Sequence, residues 1–168
     1  MIAFWLMPAA SEREFFRLLV GRLAEEHDAP LFEPHVTLAA GDFDEQRALR
    51  LLDEISVAPL QLGVHAIRFS DAFTKTVFVQ FYPYTAATDL SATIAPLAAD
   101  RAGYHFDPHL SLIYKAMPEE QKKTIALDLH VPFAEVTFDS IRVITGPADT
   151  SSRADVEAWR TLAERPLV

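Results

Sequence analysis

The chain has no cysteine among its 168 residues. That excludes a disulfide framework, a thiolate metal site and a cysteine nucleophile, and it fits a reducing cytoplasm. Basic residues are also scarce: 15 Lys and Arg stand against 24 Asp and Glu, a formal net charge of -9. Nucleic-acid affinity comes largely from Lys and Arg neutralising phosphates, so this balance argues against a general nucleic-acid binder and leaves room only for a local positive pocket. No apolar run is long enough for a membrane. Ile2 to Met7 falls well short of the roughly 20 residues a spanning helix needs, has no basic stretch before it and is soon followed by Ser11-Glu12-Arg13-Glu14. It reads as a first strand. Linkers and low-complexity segments are missing too, and a hydrophobic fraction of 50% is ample for one continuous core.

What the chain does contain is a repetition. Pro34-His35-Val36-Thr37-Leu38 matches Pro108-His109-Leu110-Ser111-Leu112, from 35 to 109 a separation of 74, and at that separation Phe4 falls on Phe78 and Ile67-Arg68 on Ile141-Arg142. Of the six histidines only His35 and His109 carry a hydroxyl residue two places on. The function is expected where the two copies meet, within one domain spanning residues 1–168.

The elements repeat in the same order. Ile2 to Met7 is a strand; Ser11, with Glu14 completing a capping box, starts a helix to about His27 with Phe15, Leu18, Leu19 and Leu23 as its apolar stripe. A strand from His35 to Ala39 follows, then a helix capped by Asp44, then a strand from Pro59 to Ser70. The second half gives strand Val77–Tyr82, helix Thr85–Ala102, strand Pro108–Tyr114, a helix opened by Pro118 and strand Pro132–Thr145. Gly146 to Arg153 reads as loop, and Val156 to Leu162 fits helix or strand equally. These patterns predict an α+β fold: a bilobal, pseudo-twofold duplication with two antiparallel sheets facing a central cleft and helices outside.

In a strand, side chains two apart share a face. His35 and Thr37 therefore face one way and Val36 and Leu38 the other, and likewise in the second copy. A pseudo-twofold axis brings the four polar groups together from opposite sides. Burying an unpaired imidazole or hydroxyl costs a few kcal/mol, so two such pairs in one register mark a site rather than chance. In-line displacement at phosphorus needs a base on the entering oxygen, an acid on the leaving one and donors to the equatorial oxygens; histidine serves either proton role and a hydroxyl is a neutral donor.

The His-x-Thr and His-x-Ser doublet, each preceded by Pro and followed by Leu, resembles the two-histidine (2H) phosphoesterase superfamily, over nearly the whole chain. Pro108-His109-Leu110-Ser111-Leu112-Ile113-Tyr114 looks most like its cyclic phosphodiesterase branch. The resemblance implies His35 and His109 as acid and base, Thr37 and Ser111 as phosphate ligands, and Tyr114 lining the pocket. It implies a metal-independent phosphodiesterase, without cofactor, acting on a small nucleotide-derived cyclic phosphate (a 2′,3′-cyclic nucleotide or ADP-ribose 1″,2″-cyclic phosphate). Rivals are an enzyme of RNA ends or 2′,5′ linkages, and a module that binds a nucleotide phosphate without turning it over.

Other residues stay open. Tyr114 points away from the His face unless the strand ends by Ile113, and Phe78 either stacks on substrate or packs the core as Phe4 does. Arg68, Arg142, Lys75 and Lys115 either reach the phosphate or pair with carboxylates. Glu33 and Asp107 share their histidine's strand face, but no His-x-His or His-x-x-x-His spacing supports a metal site. His27, His65, His105 and His130 read as surface or loop residues. A monomeric, cytoplasmic protein with a small-molecule partner, neither a membrane nor a long nucleic acid, is expected.

Overall fold

The computed structural model describes residues 1–99 and 105–168. Its first strand, β1 (Ile2–Pro8), is buried along its whole length. Ile2, Phe4 and Leu6 enter the main core, while Ala3, Trp5 and Met7 cluster with Ile144 on the opposite face. Burial on both faces accounts for the uninterrupted apolar run.

The order continues α1 (Ala10–His27), β2 (Val36–Gly41), α2 (Glu45–Glu54), β3 (Leu60–Phe69), β4 (Val77–Phe81), α3 (Thr85–Ile94), β5 (His109–Ile113), α4 (Glu119–Asp128), β6 (Glu135–Thr145), α5 (Arg153–Glu157) and β7 (Arg160–Pro166). The fold is α+β, as expected, and no described helix is long and apolar enough to cross a membrane. Several local expectations are corrected. Helix α1 begins at Ala10 after an extended Ala9 that makes no side-chain cap, so Ser11 lies inside the helix and its hydroxyl donates to Glu12 instead. The start is set by Ala9, whose N–H donates to the Thr137 carbonyl (2.8 Å). The buried stripe is accordingly Phe16, Leu19, Val20 and Leu23, and Leu18 is 67% exposed. Helix α3 gives way at Ile94 to a 3-10 turn holding Pro96, which cannot donate to the helical ladder; the expected continuation to Ala102 runs outside the described residues. The ambiguous tail divides into the short α5 and the strand β7.

The strands form a seven-stranded sheet in the order β1-β2-β5-β4-β3-β6-β7, with β6 also pairing β1. The halves are interleaved: β1 pairs with β6 and its repeat β4 with β3, so each half lends its last strand to the other. The helices cross over in the same way, α1 packing on β5 and α3 on β2. Two pairings join equivalent positions, Val36 with Leu110 and Leu62 with Val136. The pseudo-twofold axis passes through both, and all four side chains are fully buried.

The axis is a sensitive place for a cavity. Leu62→Ala should cost about 2–5 kcal/mol of unfolding free energy in urea, as buried Leu truncations do. Leu127→Ala, at a site 75% exposed, should stay within about 0.5 kcal/mol of the parent. Equal effects would refute this placement of the core.

Candidate active site

The motif strands β2 and β5 pair at Val36 and Leu110, which point into the core. Alternation turns His35 and Thr37, and His109 and Ser111, to the other side. There all four line one cavity of about 530 Å³, together with Trp5, Thr74, Tyr114, Trp159 and the loop at 148–151. That volume is in the ordinary range for a small-molecule site, roughly 300–1,000 Å³. The antiparallel register sets His35 across from Ser111 and Thr37 across from His109.

Each imidazole is held identically. His35 Nδ1 lies 2.6 Å from the Glu33 carbonyl oxygen and His109 Nδ1 lies 2.7 Å from that of Asp107. A carbonyl only accepts, so Nδ1 carries the proton and Nε2 is left as the proton-transfer atom. The carboxylates of Glu33 and Asp107 are engaged elsewhere, Glu33 with Arg17 and Arg142 and Asp107 with Lys75 and Gln80. Among the described residues no cluster of three or more histidine or acidic side chains is arranged to hold a metal ion.

Their surroundings differ. Burial pushes His35 down to about 3, helped by the nearby charges of His109 and Arg142. His109, less buried, is also lowered by desolvation and by Lys75, but the Asp107 carboxylate works in the opposite direction. Trp5 stacks on His35 with ring centroids 3.7 Å apart at 12°, whereas Phe78 meets His109 edge-on at 5.5 Å and 72°. Trp5 pairs with Thr37 and Arg142, and Phe78 with Ser111 and Arg68. Thus Trp5, not Phe4, is the structural counterpart of Phe78. Each pairing carries a bulge at the equivalent place, Phe4/Trp5 and Val77/Phe78, and Trp5 lies one residue nearer in sequence to Thr37 than Phe78 does to Ser111, so β1 is shifted by one residue against the sequence repeat.

The other expected residues sort clearly. Strand β5 ends at Ile113, which frees Tyr114 to line the cavity; it stacks on Phe32 at 3.8 Å, and burial raises its hydroxyl's pKa despite a hydrogen bond with Ser111. Ser111 donates to the Thr74 carbonyl at 2.7 Å. The Thr37 hydroxyl has no hydrogen-bond partner among the described residues. Phe78 is buried against His109 and is not among the residues that line the cavity. Lys75 pairs with Asp107 and lies 4.4 Å from the Phe78 ring centroid. Lys115 donates to the carbonyls of His27 and Asp28. Arg142 pairs with Glu164 and Glu33, and Arg68 is exposed on β3. His27, His65, His105 and His130 lie outside the cavity.

Sequence reasoning missed Trp5, Trp159 and the 148–151 loop. Trp159 meets Trp5 edge-on at 5.1 Å and Tyr114 at 5.8 Å, and it packs so closely on Gly146 that a Cβ there would sit 2.4 Å from its Cδ1. The available signal for Trp5 was its place next to Phe4, which the repeat aligns with Phe78. None existed for the loop, which reaches the site only through the path of β6 and β7.

A family model for cyclic phosphodiesterase-like proteins matches residues 1–167. The cyclic phosphodiesterase of Arabidopsis thaliana is 25% identical over 173 residues, covering 95% of this chain and 91% of that protein. Among solved structures, E. coli LigT complexed with 3′-AMP has a TM-score of 0.60 at 16% identity, covering 99% of this chain and 96% of its own. LigT has also been solved with ATP and with NADP+. A phosphoesterase reaches a TM-score of 0.65 at 16% identity, covering 99% and 97%. These structures share the fold.

The buried histidine has a signature in stability. His35 stays neutral in the folded protein down to about pH 3 but takes up a proton near its ordinary value of 6.5 when unfolded. Between those values the unfolded state binds more protons, so stability is full above about 6.5 and falls as pH drops toward 3. Urea unfolding from pH 7 to 4 should show this fall, and His35→Gln should flatten it. A variant with the parent's slope would contradict the burial.

Proposed function

The chain belongs to the cyclic phosphodiesterase-like family of two-histidine phosphoesterases and is a phosphodiesterase; from this we propose that it hydrolyses a small nucleotide-derived cyclic phosphate, a 2′,3′-cyclic nucleotide or ADP-ribose 1″,2″-cyclic phosphate, without a metal. The observation that carries the reading is the pair of imidazoles, each held at Nδ1 by a carbonyl with Nε2 left for proton transfer, lining one cavity with two hydroxyls. A binding module has no need of two proton-transfer groups. The nucleotides bound by LigT are in keeping with a small nucleotide substrate.

We assign His35 as base and His109 as acid. His35 is the more easily kept neutral, with two cationic neighbours opposing its charge; His109 has a carboxylate beside it that favours the proton. A water oxygen forms a bond to phosphorus while His35 Nε2 takes its proton. The opposite P–O bond of the cyclic ester breaks, and its electron pair goes to the ribose oxygen, which takes the proton from His109 Nε2. The product is the ring-opened phosphate monoester, and solvent restores the two imidazoles. The bound phosphate's negative charge offsets the desolvation that lowers both histidines, so the acid's proton arrives with the substrate. Thr37 offers its hydroxyl to an equatorial oxygen directly, whereas Ser111 must first turn its hydrogen from Thr74.

Turnover of a 2′,3′-cyclic nucleotide should survive EDTA; activity restored only by added zinc or manganese would sink the metal-free scheme. His35→Ala and His109→Ala should each lower kcat by about 10²–10⁴, and Thr37→Val by up to roughly 10³. On bis(p-nitrophenyl) phosphate, whose leaving group needs no proton, His109→Ala should recover much of its loss and His35→Ala should not. The reverse pattern would exchange the two roles.

A further inference from the structure

His109 and Ser111 are each held by a backbone carbonyl, and the two carbonyls belong to different segments. Asp107 holds the ring at Nδ1 (2.7 Å), and Thr74, in the short turn before β4, accepts from the Ser111 hydroxyl (2.7 Å). One ion pair joins those segments: Lys75, the residue after Thr74, donates through Nζ to the Asp107 carboxylate. Gln80 on β4, the cross-strand partner of His109, braces the same place, because its Nε2 donates to the other oxygen of that carboxylate (2.8 Å) and to the Pro108 carbonyl (2.9 Å). The Lys75 ammonium also lies 4.4 Å from the centroid of the Phe78 ring, which stands edge-on to His109. An isolated surface ion pair contributes little. Here the ammonium is held by a carboxylate and an aromatic face together, and the carboxylate by an ammonium and an amide. Neither Lys75 nor Asp107 lines the cavity.

The first copy makes the same arrangement from other parts. Glu33, which the repeat places on Asp107, holds His35 through its carbonyl, and its carboxylate is gripped by Arg17 from α1 and Arg142 from β6. The acid two places ahead of each histidine is repeated, but its cations come from unrelated elements. A contact merely inherited with the duplication would keep both partners, so a clamp rebuilt from different residues points to a requirement of the histidine it serves. Resting on the cyclic phosphodiesterase reading, we propose that Lys75 is a positioning residue of the reaction: by holding the Asp107 carboxylate it fixes the carbonyl that aims His109 Nε2 at the leaving oxygen, and together with Asp107 it balances the charge beside that ring. Burial is the largest influence on the ring's proton affinity and lowers it; of the two charged neighbours, Lys75 lowers it further and Asp107 raises it. The other titratable groups near the ring are those of Met1, His35, Tyr114 and Asp149, which line the same cavity, and the β4 neighbours Phe78 and Gln80 are uncharged. Loss of either partner therefore unbalances the ring in opposite directions, whereas loss of both restores the charge balance but still releases the peptide.

The test measures Lys75→Met, Asp107→Ala, the double variant and Lys75→Arg against the parent, on adenosine 2′,3′-cyclic phosphate and on bis(p-nitrophenyl) phosphate, with nitrogen NMR of the His109 ring in the free proteins. The acid has to be protonated, so its titration sets the high-pH limb of kcat. Lys75→Met should move that limb and the ring's own titration upward and Asp107→Ala downward, each by roughly 0.5–1 unit. The double variant should return both close to the parent. On the cyclic nucleotide kcat should nonetheless fall about 10- to 100-fold in all three, at nearly unchanged KM, as it does for misaimed groups. Little should be lost on bis(p-nitrophenyl) phosphate, whose leaving group needs no proton, and Lys75→Arg should keep most of the parent's rate. Limbs and ring titrations that stay in place, or equal losses on the two substrates, would overturn the positioning role, and the NMR titration decides it for any variant too slow to assay. A parent protein inactive on the cyclic nucleotide would overturn the cyclic phosphodiesterase reading, and the proposal with it.

Discussion

Two hydrogen bonds, from the Nδ1 of each motif histidine to the carbonyl two residues before it, are the constraint on which the site depends. Each histidine sits where its strand enters the axis contact, so the backbone that places the ring also supplies the acceptor that orients it. Tautomer and direction are thereby set without a carboxylate partner. Both neighbouring carboxylates are bonded to other side chains and not to the rings. A neutral acceptor leaves each histidine's protonation to burial, to the surrounding charges and to the substrate. This suits a site in which one ring has to be charged and the other not.

The interleaving of the halves ties the site to both of them. Each motif strand is flanked by a strand of its own half, β1 or β4, and meets its duplicate at the axis. The helices of one half cover the strands of the other. A lobe therefore cannot move without disturbing packing that belongs to both halves. Within this symmetry the aromatic partners differ: a tryptophan lies flat on His35 and a phenylalanine stands edge-on to His109. The broader, stacked ring desolvates its histidine more completely. A single exchange at equivalent positions thus helps to turn a symmetric scaffold into one with two distinct proton affinities.

Much of this was legible in the sequence because duplication prints the same signal twice. The four motif residues, the strand and helix order and the offset that matches α2 to α4 all follow from reading the chain against itself. The pairing of β1 with β6 was not legible, since a period-two pattern says which face is buried but not which neighbour is hydrogen-bonded. Trp5 was hidden because it lies one residue nearer in sequence to its motif strand than Phe78 does, which makes the sequence alignment, Phe4 with Phe78, differ from the spatial one. Tyr114 was settled by the end of β5, a boundary that sequence patterns locate poorly. The 148–151 loop and Trp159 come from a segment outside the repeat, for which the first half holds no template.

The central claim concerns two ring nitrogens, and nitrogen NMR of the histidine side chains observes them directly. With both motif histidines assigned by substitution, a pH series should show Nδ1–H tautomers at His35 and His109. The His35 ring should remain neutral well below its ordinary 6.5, and one imidazole should gain a proton when a phosphate-bearing nucleotide binds. An Nε2–H tautomer at either position, or ordinary titration of His35 near 6.5, would contradict the account.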